Sequence, residues 1–107
     1  MKMDNFDEML PIGTVLKVKD SELQFMIAGY NRLRENVYYD YVAVIHPTGL
    51  EAIIPGVDKN IFYFNKEDIE EVYSLGFLDD KVQNTRKHIN NIIVARKARE
   101  EGVKGEK

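Results

Sequence analysis

The sequence predicts an α+β domain: a mostly antiparallel, strongly twisted sheet of four or five strands that curls toward a partial barrel, followed by two C-terminal helices. Three observations predict it. A chain of 107 residues is long enough for one hydrophobic core, residues 10–64 carry short apolar runs between turns, and residues 65–101 carry helical spacing. We therefore expect one domain over 10–101, an N-terminal segment 1–9, and a flexible tail 102–107.

The first strands follow a turn at residues 10–13, where proline fixes φ and glycine permits unusual conformations. Residues 14–19 then alternate apolar and lysine side chains, which is typical of a half-buried strand. Residues 23–30 are nearly continuous in apolar and aromatic side chains, so we predict a central strand, with Gly29 marking a bulge.

A polar loop is predicted at residues 31–36, before a strand over 37–45 that is rich in tyrosine and β-branched residues. The segment 46–49 contains proline and glycine and ends that strand. A short fourth strand is expected at 50–54, and another apolar extended segment at 62–64.

Two helices complete the predicted fold. Asn65 is placed to cap a short helix in which Ile69, Val72 and Tyr73 recur at helical spacing, and Gly76 would stop it. Asp79 and Asp80 then cap a longer helix that reaches about residue 102. Its apolar side comprises Val82, Ile89, Ile92 and Ile93.

Composition narrows the function classes. The chain has no cysteine, which removes disulfides and thiol chemistry, and no run of eighteen apolar residues that would span a bilayer. Its N-terminus lacks the apolar core of a secretion signal, so we predict a cytoplasmic protein without a membrane partner. Fifteen basic and eighteen acidic residues give a net charge of -3, which disfavours nucleic acid as the partner.

Catalytic and metal-binding patterns are weak in this chain. His46 and His88 have no neighbouring ligand at metal-binding spacing, and Ser21 and Ser74 lie outside any nucleophile elbow. No glycine-rich phosphate loop occurs either. We therefore expect no enzyme activity, no metal and no cofactor.

Three short motifs, in a fixed order, resemble a small family of Gram-positive bacteria, the domain of unknown function 4176. They are Leu10-Pro11-Ile12-Gly13-Thr14-Val15, then Tyr39-Asp40-Tyr41-Val42 with the Pro47-Thr48-Gly49 turn, then Phe64-Asn65 with Asp68-Ile69, Val72 and Gly76-Phe77. The resemblance implies a gene near type VII secretion loci and LXG-type toxin genes of Firmicutes. It thereby implies an accessory chaperone or targeting adaptor, and it implies no catalytic residue.

Asp40 is the most unusual candidate site residue, because an acid between two tyrosines is disfavoured within a strand. We expect it to accept hydrogen bonds from loop amides or to pair with Arg32 or Arg34. A contact with a ligand or partner is the alternative. Strict alternation would place Tyr39, Tyr41 and Ala43 on one face and Asp40, Val42 and Val44 on the other.

Two surfaces are predicted to bind another protein, either a secretion toxin or a helical targeting factor, or a second copy of the chain. The sheet surface comprises Tyr39, Asp40 and Tyr41, since tyrosine is enriched at interfaces. The helix surface comprises Ile89, Ile92, Ile93 and the basic Arg96. The alternative function is a small nucleic-acid-binding or regulatory module that uses Lys17, Lys19, Arg32 and Arg34.

Overall fold

The computed structural model describes residues 9–50 and 61–105. Within them, five antiparallel strands form one sheet in the order β4-β3-β2-β1-β5, and one helix follows. Their bounds are β1 Val15–Val18, β2 Gln24–Arg34, β3 Val37–Ile45, β4 Ile61–Phe64, β5 Ile69–Ser74 and α1 Asp80–Gly105. The α+β class is confirmed, but the described part contains one helix rather than two.

The sheet is open rather than a partial barrel. β4 lies at one edge beside β3, and β5 lies at the other edge beside β1. The first four strands follow one another as a meander, so only β5 is displaced from chain order among the described strands. The strand predicted at 50–54 lies outside the described residues except for Leu50.

The entry turn before β1 forms as predicted. Gly13 has a φ of 91°, a left-handed conformation that glycine adopts without strain. Its N–H donates to the carbonyl of Ile27 at 2.8 Å, and the carbonyl of Thr14 accepts from the N–H of Ile27 at 2.9 Å. The turn is therefore fastened to the middle of β2.

The polar loop predicted at residues 31–36 is wrong, because β2 continues to Arg34. The connection to β3 is the two-residue turn of Glu35 and Asn36, whose φ angles are 50° and 67°. Two consecutive positive φ values give the tight hairpin turn that matches the twist of the flanking strands. The bulge at Gly29 is confirmed by a register shift between Ile27 and Gly29.

The short helix predicted after Asn65 is also wrong. A single 3₁₀ turn at Lys66–Asp68 leads into strand β5, where Ile69 and Val72 are buried. Ile69 lies opposite Val18 and Val72 opposite Leu16, with register shifts along the pair. Extra residues in a bulged strand change the inward spacing from two to three, which imitates helical periodicity.

Helix α1 covers one face of the sheet. Asp79 Oδ1 accepts the N–H of Val82 at 2.8 Å, which confirms the predicted cap, and the helix continues to Gly105 rather than ending near residue 102. Ile93 is its buried core residue, and Ile89 packs against the same core. The other buried members are Met9, Leu10, Leu16, Phe25, Ile27, Tyr41, Ala43, Phe64, Ile69 and Val72.

Candidate functional site

A buried carboxylate links the sheet to the C-terminal half of α1. Asp40 on β3 is fully buried, and its Oδ1 accepts a hydrogen bond from Arg96 Nη2 at 2.9 Å. Its Oδ2 accepts from Lys97 Nζ at 3.0 Å and from the backbone N–H of Lys66 at 2.9 Å. We call Asp40, Arg96, Lys97 and Asn31 the Asp40 cluster.

A local irregularity in the hairpin aims Asp40 at the helix. Asn31 has a φ of 51°, and its Oδ1 accepts a hydrogen bond from Arg96 Nη1 at 2.7 Å. Asn31 stands across from Asp40, since Arg32 pairs with Tyr39 and Tyr30 with Tyr41. Strict alternation breaks here, because Asp40 and Tyr41 are consecutive and both fully buried.

Asn65 joins the Asp40 cluster to the end of β4. Its Oδ1 accepts the backbone N–H of Asp40 at 3.0 Å, and its own N–H donates to Asp68 Oδ2 at 2.9 Å. The second contact closes the 3₁₀ turn and presents the N–H of Lys66 to Asp40. Asn65 therefore occupies the predicted cap position, but a single 3₁₀ turn follows it rather than a helix.

The electrostatics keep Asp40 ionised. Burial raises its pKa, but the hydrogen bond from Lys66 and the charges of Lys97 and Arg96 more than offset burial, so the net pKa is lowered. The predicted contact with a loop amide is confirmed by Lys66. The predicted pairing with Arg32 or Arg34 is wrong, because the basic partners come from α1.

A second buried group of contacts fastens residues 9–14, which precede and include the entry turn, and we call it the turn cluster. The Tyr41 hydroxyl accepts the N–H of Leu10 at 2.9 Å, and the Tyr30 hydroxyl donates to the carbonyl of Leu10 at 2.5 Å. Arg86 Nε donates to the carbonyl of Met9 at 2.5 Å. Burial raises the pKa of Tyr41, so this hydroxyl stays neutral.

The turn cluster continues to the chain after β5. Thr14 is fully buried, and its Oγ1 accepts the N–H of Gly76 at 3.0 Å. A Cβ at position 76 would lie 2.0 Å from the carbonyl oxygen of Ile12, so only glycine fits this approach without rearrangement.

An exposed apolar surface adjoins the Asp40 cluster at the tip of the β2–β3 hairpin. It comprises Leu33 and Tyr38, a cross-strand pair whose side chains are 54% and 41% exposed, and we call it the hairpin surface. Val37 is 50% exposed but lies on the opposite face of the hairpin, because neighbouring side chains alternate along a strand. The guanidinium of Arg96 lies 5.5 Å from the centre of the Tyr38 ring. A cleft of about 540 Å³ opens between this hairpin and the C-terminal half of α1.

Several residues predicted to contact a partner are packed inside the domain. Tyr41 and Asp40 are fully buried, Ile93 is 3% exposed, Arg96 is 5% exposed, and Ile89 packs against the core. Tyr39 is half-buried, with its ring 5.8 Å from that of Tyr63, and Ile92 is 37% exposed. Partner binding by these residues stays a prediction.

Sequence reasoning missed Leu33 as an exposed strand residue and Lys97 as a partner of Asp40. The first was assigned to a loop, although Leu33 between Arg32 and Arg34 continues the alternation of a strand. That pattern is the signal that would have extended β2 to the hairpin tip.

The basic residues of the alternative function fall into two groups. Lys17 pairs with Gln24 at the start of β2, whereas Arg32 and Arg34 lie near its end, roughly 25 Å away at the rise of a strand. Lys17 also forms an ion pair with Glu70 at 3.5 Å, and Arg34 lies 5.1 Å from the Tyr63 ring centre. A continuous basic stripe along the sheet does not form from these four residues.

The described residues provide no group of three or more histidine, aspartate or glutamate side chains arranged to hold a metal ion. His46 and His88 are both exposed and lie in separate elements. Across residues 9–50 and 61–105, no helix combines the length and apolar character required to cross a membrane.

Fold and contacts define a small α+β domain in which a buried carboxylate ties one helix to an open sheet, beside an exposed apolar hairpin. A family model described as Domain of unknown function (DUF4176) matches residues 9–85, and the chain belongs to that family. No curated protein and no solved structure matches the chain significantly. The matched region ends before Arg96 and Lys97, so it includes Asp40 but not its two cationic partners.

Proposed function

We propose that this protein is a non-enzymatic adaptor or chaperone that binds another protein through the hairpin surface. The observation that carries the proposal is the exposed cross-strand pair of Leu33 and Tyr38, on a hairpin whose base is held to α1 by the Asp40 cluster. Exposed aromatic and aliphatic side chains on a preorganised element are typical of binding surfaces, because little conformational entropy is lost on association.

The resemblance to a family encoded near secretion loci supplies the expected partner. We propose a toxin exported by type VII secretion, or its helical targeting factor, and a cytoplasmic site of action. On helix α1 we propose Ile92 rather than Ile93 as the contact with the partner, because Ile92 is 37% exposed and Ile93 is 3% exposed. The hairpin surface thus replaces the buried Asp40 and Tyr41 as the proposed contact region.

The experiment is affinity capture of tagged protein from its native cytosol at low and at high salt, with mass spectrometry and nucleic-acid staining of the eluate. Leu33→Asp is compared with Leu23→Asp. Leu23 precedes β2, is 47% exposed, and lies at the opposite end of that strand from Leu33. Both variants change the same residue type at similar exposure, so general effects on solubility cancel.

We expect a toxin or targeting factor that survives high salt, is retained by Leu23→Asp, and is lost with Leu33→Asp. Apolar contacts are retained at high salt, whereas phosphate contacts weaken steeply. An identical set of proteins captured by both variants would contradict the proposal. Nucleic acid that leaves at high salt, without a protein partner, would replace it with the alternative function.

A further inference from the structure

One edge of the sheet is only half covered in the described structure. β3 has nine residues, but β4 pairs with Tyr41, Val42, Ala43 and Val44 alone among them. No described strand pairs with the Val37–Asp40 half of β3 on this side. An uncovered strand edge presents backbone N–H and C=O groups that another chain can pair with.

Asn65 shows the direction in which this edge points. The N–H of Asp40 donates to Asn65 Oδ1, at the end of β4, and therefore points away from β2. Hydrogen-bonding groups alternate sides along a strand, so the N–H and C=O of Tyr38 point the same way. The side chain of Asn65 takes the place of the next β4 residue, and beyond it the backbone edge at Tyr38 faces the cleft.

The charges of the cleft select its occupant. Arg96 and Lys97 line it, but both are already bound to Asp40. Its carboxylates are Glu67, Glu100 and Glu101, all exposed, and of these Glu100 has a loose ion pair with Arg96 at 3.6 Å. Together with Asp40 they outnumber the two cations of the cleft, so it favours a basic side chain in its occupant.

We infer that an extended basic segment of a partner protein adds to the sheet at Tyr38, in line with β4, and places a lysine or arginine side chain beside Glu67 and Glu101. Backbone pairing supplies affinity, while the cleft supplies charge specificity. This inference rests on the proposed function and names the form of the partner segment. A second copy of the chain fits less well, because a two-fold contact would bring the same acidic side chains together.

The first measurement uses synthetic peptides and ¹⁵N-labelled full-length protein. Three probes share a length of about eight residues and alternating valine and threonine: one carries two lysines, one carries glutamates instead, and one carries the lysines with a central proline. Proline removes a backbone donor and disrupts pairing. We expect the lysine peptide to shift the Tyr38 amide resonance and to bind at least tenfold more tightly than either other peptide.

Charge reversal provides the matched variants. Glu67→Lys with Glu101→Lys changes two exposed residues of the cleft, and Glu22→Lys with Glu71→Lys changes two exposed residues elsewhere. We expect the first pair to weaken the lysine peptide at least tenfold and the second pair to change its affinity less than twofold. Amide spectra of both variants establish that they are folded.

Equal affinity for the lysine and glutamate peptides would overturn the inference, as would resonance shifts confined to β5 or to the uncovered sheet face. No shift at the highest soluble peptide concentration would overturn it as well. Concentration-dependent dimers lost on Tyr38→Pro would identify a second copy as the occupant instead. If the captured partner depends on Leu33 while the peptides fail, the adaptor function stands and the strand-addition mode falls.

Discussion

The two clusters that fasten α1 and residues 9–14 to the sheet use opposite kinds of interaction. The Asp40 cluster holds the C-terminal half of the helix through an ionised carboxylate and two cations, all centred on a fully buried group. The turn cluster holds residues 9–14 mainly through backbone groups and neutral hydroxyls. One cluster therefore depends on charge balance, and the other depends on close fit.

The largest expected effect tests charge balance. Asp40→Asn removes the buried counterion of the Arg96 guanidinium, and removing one partner of a buried ion pair costs about 3–5 kcal/mol. We expect that loss in the free energy of unfolding, measured by urea denaturation. Glu100→Gln changes an exposed ion-pair partner of the same arginine and should cost less than about 1 kcal/mol.

A double variant separates charge from packing. Asp40→Leu with Arg96→Met replaces the pair by apolar groups, and such replacements are often close to neutral. We expect the double variant to be more stable than Asp40→Leu or Arg96→Met singly. Additive losses would show that the two side chains act independently.

The Asp40 cluster also shows where sequence reasoning reached its limit. An acid between two tyrosines in a strand signals that a buried carboxylate needs partners, and this much was predictable. Arg96 lies 56 residues further along the chain, and nothing local identifies it as the partner. Arg32 and Arg34 were nearer in sequence, but β2 carries them past the carboxylate toward the hairpin tip.

The strands differ in predictability for a similar reason. β3 was predicted with its observed bounds, Val37–Ile45, because β-branched residues and tyrosines fill it between two turn signals. β5 was predicted as a helix, since its register shifts give buried residues at a spacing of three. Only pairing with β1 creates those shifts, so tertiary structure decided the element.

Close fit in the turn cluster is tested by Gly76→Ala. A Cβ at position 76 would lie 2.0 Å from the Ile12 carbonyl oxygen, and backbone atoms have little room to move. We expect a loss of about 3 kcal/mol in the free energy of unfolding, at the upper end of the usual cost of overpacking. Thermal or urea unfolding measures it.

Gly49→Ala is the matched control for that substitution. Gly49 has a φ of 69°, and no described residue beyond its chain neighbours has an atom within 4 Å of an added Cβ, so we expect only the left-handed backbone cost of about 1 kcal/mol. Equal losses in the two variants would contradict close approach at Gly76 as the reason for glycine there.

Removing one neutral hydroxyl should lower the free energy of unfolding less than the steric clash of Gly76→Ala does. Tyr41→Phe leaves the N–H of Leu10 buried without its acceptor, and an unsatisfied buried donor costs about 2 kcal/mol. Tyr73→Phe removes a hydroxyl from a side chain that is 45% exposed and should change stability by less than about 0.5 kcal/mol. Urea unfolding of both variants in one buffer gives the comparison. Equal losses would show that the hydrogen bond between Leu10 and Tyr41 does not stabilise the turn cluster.

The smallest expected effect is the pH dependence of the Asp40 cluster. The folded pKa of Asp40 is lowered from its ordinary value of 3.8, so its stabilisation is complete above that pH and is lost as the pH falls toward the folded value. Burial opposes the lowering of the pKa by Lys66, Lys97 and Arg96, so we expect the acid effect to be smaller than that of Asp40→Asn. Urea unfolding between about pH 6 and pH 3 should show the wild type losing more stability than Asp40→Leu with Arg96→Met, which lacks the carboxylate. Parallel curves would mean that other carboxylates cause the acid sensitivity.

The pH dependence of the turn cluster has the opposite sign, because the pKa of Tyr41 is raised by burial and its contribution to stability is lost only as the pH rises above 10.0. Acid therefore weakens the attachment of the helix before that of the N-terminal turn, and alkali reverses the order.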